Sequence, residues 1–250
     1  MADTVEDERG AVLLDGRDPE AVAEAGARLD AGQIGGIPTE TVYGLAADAF
    51  QPASVERIFA AKGRPPNDPL ILHAGGIGAV DRIAGWTANG RRLAERFWPG
   101  PLTLVLPKRE TVSDRITSGL PTVAVRRPDH PLLRVLLGES NRVVAAPSAN
   151  PFGRLSPTRA DHVMEHLGDR IDFVLDGGPT RLGLESTVVD VSREEGVRIL
   201  RPGPIGAGAI ERALEGARVE AATDRPPAAA TPATGGLPAP GMLAQHYSPQ

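Results

Sequence analysis

Short apolar runs alternate along this chain with helix-length stretches framed by capping residues, and that alternation leaves few folds open. The runs are Leu70 to Leu72, Leu102 to Leu106, Thr122 to Val125, Val143 to Ala146, Phe173 to Leu175, Thr187 to Val191 and Val197 to Leu200, with a weaker one at Gln33 to Ile37. Between them, Asp18-Pro19-Glu20 supplies an N-cap, a first-turn proline and a first-turn acid, and Val22, Ala25 and Leu29 then recur at helical spacing up to Gly32. Similar punctuation predicts helices over Ala53 to Lys62, Thr87 to Trp98, Pro131 to Leu137 and Pro157 to Leu167. Helices and strands interleaved in this way predict an α/β (α+β) fold, a mixed sheet with helices packed on it and an antiparallel portion near Thr187 and Val197.

Composition narrows the function. Lys and Arg number 27 against 32 Asp and Glu, a net charge of −5, so there is no global basic field to hold nucleic acid. Cysteine is absent, which excludes disulfides, thiolate nucleophiles and cysteine-based metal sites. The acidic N-terminus and the absence of any apolar run of roughly 18 residues argue against secretion and membrane insertion, and the expected location is cytoplasmic. Residues 1–220 read as one domain. Residues 221–250, rich in Ala, Pro, Thr and Gly, read as a linker and lid-like tail that carries His246 and Tyr247.

The common nucleotide-loop, Rossmann, zincin and nucleophile-elbow signatures are missing. What remains are polar clusters at strand ends, where an α/β sheet builds its site. Pro38 to Leu45 crowds Thr39, Glu40, Thr41 and Tyr43 together, read either as a self-satisfying turn or as a binding loop. Lys62, Arg64 and Asp68 flank a proline-stiffened loop whose two cations suit phosphate or simply a helix C-terminus. Thr122, Ala124 and Arg126 fall on one strand face, ending in an arginine suited to clamp an anion. Ser148 and Asn150 follow another strand, Ser156 reads as an N-cap before Pro157, and Ser186 and Arg201 bound the last two strands. His162 and His166, four apart, read as a solvated helix face, and Leu93, Phe97 and Trp98 as core. Arginines, a lysine and hydroxyls without a nucleophile–base pair suit an anionic nucleotide and a small polar co-substrate, with catalysis by positioning and charge stabilisation.

Seven ordered blocks, IPTETVYGL, KGRP with NDPL and LILHA, FWPGPLTLVL, VAVRRPDHP, APSANPFGRLSPT, LESTVVD and ILRPG, closely resemble the threonylcarbamoyl-AMP synthase family, the YrdC/TsaC/Sua proteins, from about Gly32 to Gly203. The PGMLAQHYSP tail resembles the interdomain linker of the two-domain Sua type, so the expectation is that type with its C-terminal domain absent. The resemblance implies an open twisted sheet with a concave, positively lined cavity. It implies L-threonine, bicarbonate and ATP as substrates, Mg²⁺ with the ATP, and threonylcarbamoyl-AMP and pyrophosphate as products on the way to the t6A modification of tRNA. By the family pattern Thr41, His73, Arg126 and Ser186 hold threonine. Lys62, Arg64, Asp68, Thr122, Ser148, Ser156, Arg201 and Tyr247 surround ATP, with Lys62 and Arg64 stabilising charge. The family usually has Asn where this chain has Asp68, so that contact falls to Asn67 or is lost. A downstream tRNA threonylcarbamoyl-transferase complex is the implied partner. The rival readings are an RNA-binding module and a carbamoyl-transfer domain of the same fold.

Overall fold

The computed structural model describes residues 5–6, 10–138, 142–215 and 219–220; the tail carrying Tyr247 lies outside them. The strands are β1 (Val5–Glu6), β2 (Val12–Asp15), β3 (Gly35–Ile37), β4 (Gly44–Asp48), β5 (Ile71–Ala74), β6 (Leu102–Pro107), β7 (Thr122–Arg126), β8 (Val143–Ala145), β9 (Phe173–Asp176), β10 (Thr187–Asp190), β11 (Val197–Arg201) and β12 (Val219–Glu220). The helices are α1 (Pro19–Asp30), α2 (Pro52–Lys62), α3 (Ile77–Asp81), α4 (Ala88–Phe97), α5 (Asp114–Thr117), α6 (Pro131–Leu137), α7 (Ala160–Leu167) and α8 (Ala207–Ala213). The strands join in the order β1-β2-β9-β3-β4-β8-β5-β7-β6-β10-β11-β12. Pairing is mixed as expected: β5–β7 and β6–β10 are parallel, while β6–β7, β5–β8 and β10–β11 are antiparallel.

Local chemistry accounts for most element boundaries. Asp18 accepts from the Glu20 amide and starts α1, and Thr87 accepts from the Gly90 amide and starts α4. Gly63 ends α2 in the left-handed region at φ 60°, which a glycine adopts without penalty. One boundary differs from the sequence reading. Helix α7 begins at Ala160 rather than at Pro157, and Ser156 is no N-cap: its hydroxyl donates instead to Glu185 Oε1 at 2.5 Å.

Strand alternation divides the core and exposes the working face. On β7, Val123 and Val125 enter the main core, while Ala124 joins Ile71, Val105, Val188 and Leu200 on the opposite face. At the β2–β9–β3 end, that second face is covered by α1 and α6 through Val22, Leu29, Leu133 and Leu136. Among the described residues the cluster around Ala124 contains no helix residue, unlike the helix-covered end of the same face.

Candidate functional site

Sheet register gathers the polar residues of this face into one row. His73 pairs with Arg126 across β5–β7, Arg126 with Thr103 across β7–β6, Thr103 with Val188 across β6–β10, and Val188 with Arg201 across β10–β11. A bulge lies between Val188 and Val189, opposite Leu200 and Arg201. Bulges re-aim side chains, and this one places Arg201 on the same face as Leu200, towards the row. Gly203 follows closely: a Cβ there would meet the Thr187 amide nitrogen at 2.4 Å, so only glycine lets the chain leave β11 against Ser186 and Thr187.

One pocket is lined by Thr41, Arg64, His73, Arg126, Ser148, Ser186 and Arg201, together with Thr39 and Glu185. Seven residues picked out from the sequence therefore converge. The remaining ones stand elsewhere. Lys62 lies beneath the pocket, its ammonium donating to the carbonyls of Ser148 at 2.6 Å and Asn150 at 2.5 Å, where it braces the Ser148 loop. Burial, reinforced by Arg64, holds the Lys62 pKa well below its ordinary value. Asp68 is fully buried and pairs with Arg64 at 2.9 Å, while Asn67 is exposed. Thr122 is half-buried at the far end of β7, four residues from Arg126, and Ser156 reaches the pocket only through Glu185. Tyr43 belongs to the scaffold: its hydroxyl donates to the Gly178 carbonyl at 2.7 Å and accepts from the Gly177 amide.

The lining is chemically directed. Arg64 is gripped from behind by the carbonyls of Asp68 and Pro69, which fixes its guanidinium. Thr39 donates to the Val42 carbonyl at 2.7 Å, which leaves Thr41 as the donor in the 2.8 Å contact between the two hydroxyls and turns the lone pairs of Thr41 to the pocket. Ser186 Oγ accepts from Arg201 and lies 2.7 Å from Thr103 Oγ1, a buried hydroxyl that sequence reasoning passed over. His73 is buried, with neither ring nitrogen hydrogen-bonded among the described residues, and burial first, then the charge of Arg126, push its pKa well below 6.5, so the ring is neutral at pH 7. A second residue given no role from the sequence is Glu40, whose carboxylate lies 2.7 Å from Arg126 Nη2 with both side chains buried. Burial lowers the Arg126 pKa and Glu40 opposes that shift.

Among the described residues no group of three or more His, Cys, Asp or Glu is placed to hold a metal ion, and no helix is long and apolar enough to cross a membrane. His162 is engaged locally, receiving the Thr158 amide at 3.4 Å.

The Sua5_yciO_yrdC family model, described as "Telomere recombination", matches residues 27–203. A threonylcarbamoyl-AMP synthase of Pyrococcus abyssi is 45% identical over 87% of this chain and 62% of its own length; one of Bacillus subtilis is 46% identical over 80% of this chain and 58% of its own. The chain thus spans about three-fifths of the length of these curated relatives. The crystal structure of P. abyssi Sua5 complexed with L-threonine superposes with a TM-score of 0.84 at 42% identity, covering 95% of this chain and 68% of that one.

Proposed function

The chain belongs to the Sua5_yciO_yrdC family, and from that premise we propose that it is a cytoplasmic nucleotidyltransferase making threonylcarbamoyl-AMP and pyrophosphate from L-threonine, bicarbonate and ATP, for the t6A modification of tRNA. The observation that carries the reading is the single pocket in which Thr41, Arg64, His73, Arg126, Ser148, Ser186 and Arg201 meet. The names of the P. abyssi and B. subtilis relatives, and the threonine held by the P. abyssi structure, support it.

In this reading the carboxylate of threonine binds Arg126, and its hydroxyl lies between the Thr41 lone pairs and a His73 nitrogen. The substrate ammonium first loses a proton to solvent, and the free amine then condenses with bicarbonate to a carbamate, releasing water. A carbamate oxygen then attacks the α-phosphorus of ATP, a P–O bond forms, and the bond to the β-phosphate breaks as pyrophosphate leaves. Ser186 belongs with Thr41, His73 and Arg126 on the threonine side; Arg64 and Arg201, with the Ser148 hydroxyl, face the phosphates, and their held geometry means that little reorganisation is needed as charge develops. Lys62 acts from below by fixing the Ser148 loop. Mg²⁺ enters with ATP as part of the substrate. Asp68 serves the nucleotide indirectly by neutralising and orienting Arg64. A downstream transferase complex that takes the adenylate to tRNA is the proposed partner.

The test is pyrophosphate release from ATP by the purified protein. Release that requires both L-threonine and bicarbonate is the expected result, with Arg126→Ala abolishing the threonine dependence. Release independent of threonine, or none, removes the reading.

A further inference from the structure

Both carboxylate oxygens of Glu40 are buried; Oε2 pairs with Arg126 Nη2 at 2.7 Å, while among the described residues Oε1 has no hydrogen-bond partner. An unsatisfied carboxylate oxygen in the interior is costly, and such groups in native proteins usually mark the place of a ligand or a functional charge. Arg126 is engaged in complementary fashion. Nε donates to the Gly100 carbonyl at 3.3 Å and Nη2 faces Glu40, so among the described residues Nη1 is the edge left for the pocket that Arg126 lines.

Neighbouring charges give the pair its meaning. Arg201 acts on Arg126 as a second positive charge, and His73 on the adjacent strand is neutral. Without Glu40, this end of the pocket would carry two cations and would hold any small anion, including a phosphate. Glu40 stands just behind the lining, between the lining residues Thr39 and Thr41, so this end of the pocket has one guanidinium edge toward it and a buried negative charge beside that edge. That arrangement matches a molecule whose own positive and negative groups lie on adjacent atoms.

We propose that Glu40 is the specificity-determining residue that makes the Arg126 subsite select an α-amino acid zwitterion over a carboxylate lacking the amine. This rests on the reading of the pocket as a threonine site. Glu40 holds Arg126 in place, and its charge favours the substrate ammonium while disfavouring lone anions at the same guanidinium.

The experiment is calorimetric titration of the whole chain, without ATP, with L-threonine and with 3-hydroxybutyrate, which keeps the carboxylate and the hydroxyl but lacks the amine. In the unmodified protein threonine should bind at least about tenfold more tightly than 3-hydroxybutyrate. In Glu40→Gln threonine should weaken by at least about tenfold while 3-hydroxybutyrate holds or tightens, so that the ratio approaches one. Glu40→Asp, which restores the charge, should recover part of the preference. A merely structural role would weaken both ligands in parallel, and that result overturns the proposal. The unmodified protein gives a test independent of how the variants fold: equal affinity for the two ligands also overturns it. Failure to bind either ligand instead removes the threonine reading itself, together with this inference.

Discussion

Lowering the pH from about 7.5 to about 5.5 should cost the folded protein stability through His73, by an amount that can be worked out in advance. The ring is buried, neither nitrogen has a partner among the described residues, and desolvation followed by the Arg126 charge pushes its pKa well below 6.5. In the unfolded chain the same ring titrates near its ordinary value of about 6.5. Between the two values the unfolded state binds the extra proton, so stability rises with pH and is lost as pH falls below about 6.5, at about 1.4 kcal/mol per unit. One unit below that point the loss is about 1.4 kcal/mol, or roughly 4 °C in melting temperature for a chain of this size. His130 is also lowered by burial, with Glu40 and Asp129 opposing the shift, and it contributes in the same direction. It is present in both proteins compared, so it cancels. The assay is urea unfolding of the unmodified protein and of His73→Gln at both pH values. The variant should lose about 1.4 kcal/mol less between them. An identical loss in the two proteins would show that His73 takes up its proton in the folded state, and the argument for a desolvated, partnerless ring would fail.

Other perturbations separate scaffold from site. Asp68→Ala leaves the buried Arg64 guanidinium without its counter-charge, and urea unfolding should show a loss of about 3–5 kcal/mol, with a smaller loss for Asp68→Asn; a change within error for the alanine variant would refute the pairing. Lys62→Met removes the donor to the Ser148 and Asn150 carbonyls, so amide exchange should accelerate at residues 148–150 while β5 and β7 stay protected; unchanged exchange there would contradict a bracing role. Thr103→Val should cost only about 0.5–1.5 kcal/mol of stability yet lower pyrophosphate release, with Thr103→Ser close to unmodified. Equal rates in all three would place Thr103 outside the site's hydrogen-bond chain.

The parts of this fold that were legible are those in which side-chain chemistry acts locally. Asp18 and Thr87 cap their helices because a short polar side chain reaches an amide within its own turn, and Val123 and Val125 alternate with Ala124 and Arg126 because strand geometry allows nothing else. Strand β4, Gly44-Leu45-Ala46-Ala47-Asp48, went unread because glycine and alanine carry little strand preference; it is held by β3 and β8 on either side. Ser156 misled for a related reason: a serine before proline is a plausible cap, and Glu185, its actual partner, is 29 residues away. In the site, residue types pointed to the right loops but not to their directions. Lys62 and Arg64 are two residues apart, yet one braces carbonyls below the pocket while the other lines it. Glu40 and Arg126 are 86 positions apart in sequence and meet only when β7 is laid into the sheet, and the bulge that aims Arg201 arises from pairing between β10 and β11 rather than from any local motif.

The row from His73 through Arg126 and Thr103 to Arg201 also acts as a proofreading device for folding. A slip of one residue between β5, β7 and β6 would turn Arg126 into the main core and Val125 out to the opposite face, so wrong pairing destroys the core and the site in the same event. A folded but silently misregistered form therefore has nowhere to exist. Insertions should be absorbed in the connections between strands and never within them, and any variant of this chain that shows the proposed threonine-dependent pyrophosphate release certifies by that fact alone that its central strands are aligned.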